Sequence, residues 1–193
     1  MSRITLLPAA GRQARPWKNG GGTTTDIAVF PAGAGMEEFD WRLSMASVTT
    51  AGPFSHFDRV DRILAVIEGR LTLAFEADAK VIELGPDSPP YPFSGEVGVI
   101  GAPVNGTVVD LNLMTRRGRW AATMERVALP HARTLASAEA LFVFIAEGRL
   151  RRDTEIVPMQ PLDAIWINQA EGQPVALEGE GDAYVIGLSF MER

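Results

Sequence analysis

The feature that most constrains this chain is that it repeats itself. Residues 63–71 read ILAVIEGRL and residues 142–150 read FVFIAEGRL, so an apolar run leads into the same EGRL string twice, with Gly69 and Gly148 79 positions apart. Two further segments follow in the same order. Ile82 to Asp87 (IELGPD) parallels Val157 to Asp163 (VPMQPLD), each a short apolar stretch running into a proline turn. Gly106 to Met114 parallels Gly181 to Ser189, an apolar stretch that closes each copy. Chance supplies a shared string of four; three segments in one order point to a duplicated module. Two long copies do not make a solenoid, whose repeats are shorter and more numerous.

The duplicated unit reads as β structure. The 19 glycines and 13 prolines are scattered as punctuation and do not bunch into a linker. Between them lie short segments rich in Val, Ile, Leu, Phe and Thr: 40–48 (DWRLSMASV), 62–75 (RILAVIEGRLTLAF, two strands around a Glu68-Gly69 turn), 106–114 (GTVVDLNLM) and 183–190 (AYVIGLSF). Turn signals every ten residues or so predict an all-β sandwich or barrel. One short helix is expected over Ala132 to Ala140, where alanine is frequent after Pro130.

Several classes of function fall away. The chain is 46% hydrophobic and 22% charged, the balance of a globular domain and not of a disordered segment. Its longest clean apolar runs, Ile63 to Ile67 and Leu141 to Ala146, are far short of the roughly 20 residues a membrane-spanning helix needs. No apolar stretch near the N-terminus is long enough for a secretory signal, so a cytoplasmic location without membrane attachment is the expectation. With no cysteine there is no disulfide, thiolate nucleophile or iron–sulfur cluster. The formal charge of −6 argues against a nucleic-acid partner, and Arg116, Arg117 and Arg119 read as a solvated turn between strands.

Strand, glycine turn, strand, proline turn and closing strand, repeated twice, resembles the cupin barrel. The fold class implied is all-β, a duplicated RmlC-like jelly-roll barrel or bicupin. Residues 1–120 are expected to form the N-terminal cupin barrel with the pocket. Residues 121–193 are expected to form a structural cupin-like barrel, with exchange of strands between the halves allowed. Many cupins hold a metal through a histidine pair and a glutamate six residues before a glycine. If Gly69 is that glycine, Arg62 stands in the glutamate's place, and upstream there is only His56. No histidine follows the PFSG turn at 92–95; in the second copy Leu141 takes the glutamate's place and His131 is isolated. Metal ligands must be several and convergent, and an arginine has no lone pair to offer. We therefore expect no metal and no cofactor, and a pocket adapted to an anion.

Three segments could build such a pocket. Residues 16–25 (PWKNGGGTTT) can approach a ligand closely. There Lys18 adds charge, Asn19 and Thr23 add hydrogen-bonding groups, and successive amides could form an anion nest. A flexible connection between strands explains the glycines equally well. In residues 40–48 Trp41, Leu43 and Met45 take one face while Arg42, Ser44 and Ala46 take the other; Asp110, Asn112 and Met114 likewise share a face. Arg62 shares its face with Leu64 and Val66, where a charge needs a partner. Asp61 or Asp110 could serve, as could a ligand carboxylate held in the guanidinium fork. The second copy is expected to be structural, because LFVFIA (141–146) is almost wholly apolar and Val185, Gly187 and Ser189 offer no charge.

Taken together, PWKNGGGTTTDIAVF (16–30), FDWRLSMASV (39–48), GPFSHFDRVDR (52–62), PFSG (92–95) and DLNLMTRRGR (110–119) resemble the HutD/Ves family. The likeness is dense over the first two thirds and continues through the EGRL repeat. Val60 stands where that pattern leads us to expect glycine. The resemblance implies a bicupin with one well-formed pocket in its N-terminal half, and pocket roles for Asn19, Arg42, Ser44, Arg62, Phe93, Asn112 and Met114. HutD members are associated with bacterial histidine utilisation and are thought to bind an anionic intermediate such as N-formylglutamate and limit the pathway's induction. A ligand acting as a signal needs no chemistry, and no enzymatic activity is established for the family. Two other readings stay open. One is a metal-free isomerase or epimerase-like enzyme, with His56, Asp61 or Asp110 as base. The other is a protein-interaction module. A homodimer is also compatible with the fold.

Overall fold

The structure, a computed structural model, describes residues 3–191, and among them the regular structure is β throughout. The strands are β1 (Ile4–Leu7), β2 (Ala14–Pro16), β3 (Gly22–Phe30), β4 (Trp41–Val48), β5 (Gly52–Pro53), β6 (Val60–Glu68) and β7 (Leu71–Phe75). They continue as β8 (Val81–Leu84), β9 (Tyr91–Ser94), β10 (Val99–Pro103), β11 (Val108–Arg116), β12 (Trp120–Ala128) and β13 (His131–Thr134). The remainder are β14 (Glu139–Phe144), β15 (Gly148–Arg152), β16 (Glu155–Met159), β17 (Ala164–Asn168), β18 (Pro174–Gly179) and β19 (Asp182–Phe190). They form two compact units, one spanning Gln13–Arg119 and the other joining the chain up to Arg12 with Trp120 onward.

Each unit is a pair of antiparallel sheets, and the strand orders show the duplication directly. In the first unit the large sheet contains β4-β11-β6-β9 and the small sheet runs β5-β10-β7-β8. In the second, β12-β19-β14-β17 and β13-β18-β15-β16 repeat both orders strand for strand. The units differ only in how the large sheet is extended: by β3 and β2 beyond β4 in the first, by β1 beyond β17 in the second. The repeated EGRL string marks the place where the chain leaves the large sheet for the small one. At Gly69 this needs a positive φ of 79°, and a Cβ would stand 2.8 Å from the Thr107 carbonyl oxygen, so only glycine fits.

Alternation along the strands puts Leu64, Val66, Leu71, Leu73, Val99 and Val108 into the core of the first unit. Phe142, Phe144, Leu150, Ile165, Ile167 and Leu177 fill the second. Each such side chain contributes about 1.5–3 kcal/mol by leaving water. Strand β14 is buried along both faces from Ala140 to Phe144, which accounts for its unbroken apolar sequence.

Two expectations need correction. The helix over Ala132 to Ala140 is absent: His131–Thr134 pairs with β18, Leu135 is buried, and Glu139 already begins β14. Alanine's helix preference is worth under about 1 kcal/mol per residue and yields to ladder bonds and burial. The division into residues 1–120 and 121–193 also shifts. The units part between Arg119 and Trp120, but the residues up to Arg12 belong with the second unit. Strand β1 pairs with β17, from Ile4 opposite Ile167 to Leu7 opposite Ala164. The Arg12 guanidinium then locks the segment by donating to the carbonyls of Leu162 and Leu7.

Candidate functional site

Strands β4, β11 and β6 lie side by side in the large sheet of the first unit, and their register stacks three rows across it. Arg42, Met114 and Arg62 form one row; Ser44, Asn112 and Leu64 the next; Ala46, Asp110 and Val66 the third. All three rows keep one continuous register, and it shifts only beyond the third, between Asp110 and Val109, which pairs with Glu68. These rows floor a cavity of about 450 Å3 that also touches Lys18, Asn19 and Phe54. The apolar residues fill one end of the barrel, and the polar residues of the same faces line the other.

Arg62 is 5% exposed, and its guanidinium lies 4.8 Å from the Phe54 ring centre and 5.1 Å from that of Phe93. Both rings lie within cation–π range of the guanidinium and use none of its N–H groups as hydrogen-bond donors. Its only hydrogen bond among the described residues is a long one, from Nε to Asn112 Oδ1 at 3.4 Å. Among those residues neither Nη1 nor Nη2 has a protein acceptor, and no carboxylate lies within ion-pair distance. Both partners considered from sequence are otherwise disposed. Asp61 is at the surface, paired with Arg117 at 2.7 Å, and Asp110 faces the cavity without touching Arg62. Burial lowers the Arg62 pKa to about 10, so it stays cationic near neutrality.

Arg42 is held differently, by an ion pair with Asp26 of β3. Asp110 is 1% exposed, and its Oδ1 has no hydrogen-bond partner. Burial pushes its pKa up to about 7, opposed by Arg62 and by a hydrogen bond involving the Ala46 backbone. A buried, unpartnered carboxylate oxygen is costly unless something arrives to meet it.

The glycine-rich segment serves mainly as structure. The Gly20 amide donates to Trp17 O and the Gly21 amide to Asn19 Oδ1, so these amides are spent within the loop and do not form an open anion nest. A Cβ at Gly22 would collide with the Ser47 carbonyl and stand 3.2 Å from the Trp17 ring, so glycine lets Trp17 lie on β3. Its indole N–H donates to Thr24 Oγ1 at 2.7 Å. Lys18 and Asn19 are at the rim of the cavity.

Of the residues singled out by sequence, Lys18, Asn19, Arg42, Ser44, Arg62, Asn112 and Met114 line the cavity together. Two do not. Phe93 stands behind Arg62, and Thr23 points away while its neighbour Thr24 lines the wall. Sequence reasoning missed Trp17, Thr24, Phe54 and Phe57, and left Asp110 open between a partner for Arg62, a base and part of a polar face; it lines the cavity. Of the candidate bases, His56 is exposed and paired with Asp58 at 2.8 Å, away from the wall. Val60 is fully buried at the start of β6, with its carbonyl accepting the Gly95 amide at 2.7 Å. Among the described residues no three His, Asp or Glu side chains converge as a metal site would require, and no helix is long and apolar enough to cross a membrane.

The second unit has a cavity of about 420 Å3 in the corresponding place, touching Thr123, Glu125, Arg133, Ser137, Ala140 and Gly187. Its two charged residues pair with each other, Arg133 Nη1 to Glu125 Oε2 at 2.8 Å.

The HutD family model matches residues 9–185. The chain belongs to the HutD family. A Pseudomonas putida protein described only by its mass and its place beside hutC is 32% identical over 155 residues, covering 78% of this chain and 77% of its own. Protein Ves of Cronobacter sakazakii is 28% identical, covering 91% and 93%. The solved structure of HutD from Pseudomonas fluorescens SBW25, obtained in a formate condition, superposes with a TM-score of 0.85 at 26% identity over 98% of this chain and all of that one. Likeness of fold alone extends to a cupin 2 conserved barrel protein from Leptotrichia buccalis, at a TM-score of 0.58 and 9% identity. This HutD-family chain is thus an all-β, cupin-like protein.

Proposed function

We propose that the first barrel binds a small carboxylic acid of the N-acyl amino acid or dicarboxylate type, such as N-formylglutamate, and that this HutD-like protein uses occupancy to modulate histidine utilisation. The observation that carries the reading is Arg62. It is a buried cation within cation–π range of two aromatic rings, and among the described residues neither terminal amino group has a protein acceptor, at the floor of a cavity. A carboxylate fits that fork in the bidentate geometry that guanidinium favours. Arg42 presents a second cation already steadied by Asp26, and Ser44 and Asn112 offer the neutral donors and acceptors that an amide or formyl group needs. Phe54, Phe57 and Met114 supply apolar wall, as small-molecule pockets do.

Titration calorimetry with N-formylglutamate, glutarate and glutamate tests the proposal. Saturable binding of the first at one site per chain, lost in Arg62→Met, is the expected result. Absence of binding by every acid tried, or full binding by the variant, overturns it. A second reading, an enzyme, rests on Asp110, the one carboxylate that lines the cavity among the described residues. Exchange of the Cα proton of N-formylglutamate for deuterium in D2O, seen by NMR with the protein and not with Asp110→Asn, would favour that reading.

A further inference from the structure

The binding proposal accounts for Arg62 and leaves Asp110 without a role. Asp110 is the most deeply buried charged side chain of the cavity wall, on the strand between Arg42 and Arg62, and its buried Oδ1 has no hydrogen-bond partner. An anion seated on Arg62 would bring a second carboxylate into the same enclosed place. One guanidinium compensates two carboxylates poorly beside side chains as buried as Arg62 and Asp110, because like charges repel more strongly where solvent screens them less. The other charged groups around Asp110 do not remove the conflict. Arg42 on β4 is committed to Asp26 of β3, Lys18 stands at the rim, and the β5 side contributes Phe54 and no charge.

We propose that Asp110 reads the ligand as a proton acceptor. A carboxylate enters together with one proton from solvent, the proton settles on Asp110, and the resulting O–H donates to the bound carboxylate. At Arg62 the charges balance: one ligand carboxylate and one proton arrive, Asp110 becomes neutral, and Arg62 keeps a single counter-charge. Oδ1 has no hydrogen-bond partner, so a proton carried on Asp110 need displace none there. The same burial that pushes the Asp110 carboxyl up to about 7 places the exchange near neutrality. The site then prefers a carboxylate, whose oxygens accept an O–H and a guanidinium at once, to a halide of equal charge. It also responds to pH in a range where the ligand's own carboxyl groups are fully ionised.

The inference rests on the carboxylate-binding reading, and the experiment separates the two. N-formylglutamate is titrated into the wild-type protein by calorimetry at pH 6, 7 and 8.5, in Tris and in HEPES at matched ionic strength. The buffer dependence of the heat should report uptake of nearly one proton per ligand at pH 8.5, falling toward zero at pH 6. The dissociation constant should rise about tenfold per pH unit above 7. Asp110→Asn should bind with a constant that is flat across this range and take up no proton. Binding that needs Arg62 but is independent of pH, with equal heats in both buffers, overturns the proton-coupled role and leaves the binding proposal standing. Persistence of the pH dependence in Asp110→Asn overturns the assignment to this residue. Absence of binding, or binding indifferent to Arg62→Met, overturns both. The wild-type buffer comparison needs no variant, so a misfolded Asp110→Asn would not shield the proposal.

Discussion

The two barrels share a strand order and differ in the side chains set across it, most sharply in one row. Where β4, β11 and β6 set Arg42, Met114 and Arg62 across the first barrel, β12, β19 and β14 set Thr123, Gly187 and Ala140 across the second. The connection between β5 and β6 brings Phe54 against Arg62; that between β13 and β14 brings Ser137 onto Gly187 so closely that a Cβ there would collide with its hydroxyl. The two cavities are of similar size, but one is floored by Arg62 and Asp110 while in the other a loop comes down on Gly187. The strand order is the same in both, so the proposed binding in the first barrel rests on side chains: a buried cation with unused donors, and the ring of Phe54 beside it.

The largest expected effect is at Arg62. Losing a charge-assisted pair worth about 1.5–3 kcal/mol should weaken acid binding roughly ten- to hundredfold or more in Arg62→Met. Because Arg62 has no ion-pair partner to strand, a denaturant melt of the variant should stay close to wild type. Arg62→Lys keeps the charge without the fork and should recover only part of the affinity. Calorimetry returning two equivalent sites per chain would erase the distinction between the barrels.

A steric test in the second barrel comes next. Gly187→Ala forces a methyl into Ser137 and should lower stability by about 1–3 kcal/mol in a chemical melt, with the first barrel's affinity untouched. Adding Ser137→Gly should return part of the loss; an equal loss of affinity in the single variant would mean the two cavities are coupled.

Asp110 gives a smaller effect with a definite sign. Its folded pKa is raised, to about 7 against an ordinary 3.8, so the folded protein holds a proton that the unfolded chain releases between those values. Stability from this group therefore falls as pH rises from about 4 to 7 and is level above. Asp110→Asn should remove that slope and, at pH 8, be more stable than wild type by about 1–2 kcal/mol, a modest gain because the wild-type surroundings relax around the charge. Urea melts at pH 5, 6.5 and 8 would show it, and parallel slopes in the two proteins would sink it. The smallest effect belongs to the paired charges of the second cavity. Arg133→Met breaks a partly exposed ion pair and should cost under about 1 kcal/mol with no change in ligand affinity.

Much of this was legible in the sequence because a duplicated β module writes its pattern twice. The three matched segments coincide with β6–β7, β8 and β11 in one barrel and with β14–β15, β16 and β19 in the other. The floor residues could be read because Arg42 and Ser44, like Asn112 and Met114, alternate with large apolar neighbours that fix which face is which. Thr23-Thr24-Thr25 carries the same side chain on both faces, so nothing in it could say that Thr24 is the residue facing the cavity. Phe54 escaped because it follows the two-residue β5 and belongs to no alternating run. Asp110 was visible as a residue but not as a free one, since whether a buried carboxylate meets its arginine is a matter of a few ångströms.

The pairing of β1 with β17 has a consequence for the order in which the molecule is built. The Arg3 amide donates to the Asn168 side chain 165 positions away, and Ile4 faces Ile167 across the ladder. During synthesis the whole of Gln13–Arg119 leaves the ribosome between these partners. The first barrel can close while β1 still waits, its edge groups open to any passing strand. A protease added during translation should therefore find the segment before Gln13 exposed until late, well after the first barrel is complete. A fragment beginning at Trp120 would meet the converse difficulty, with β17 left as an uncovered edge.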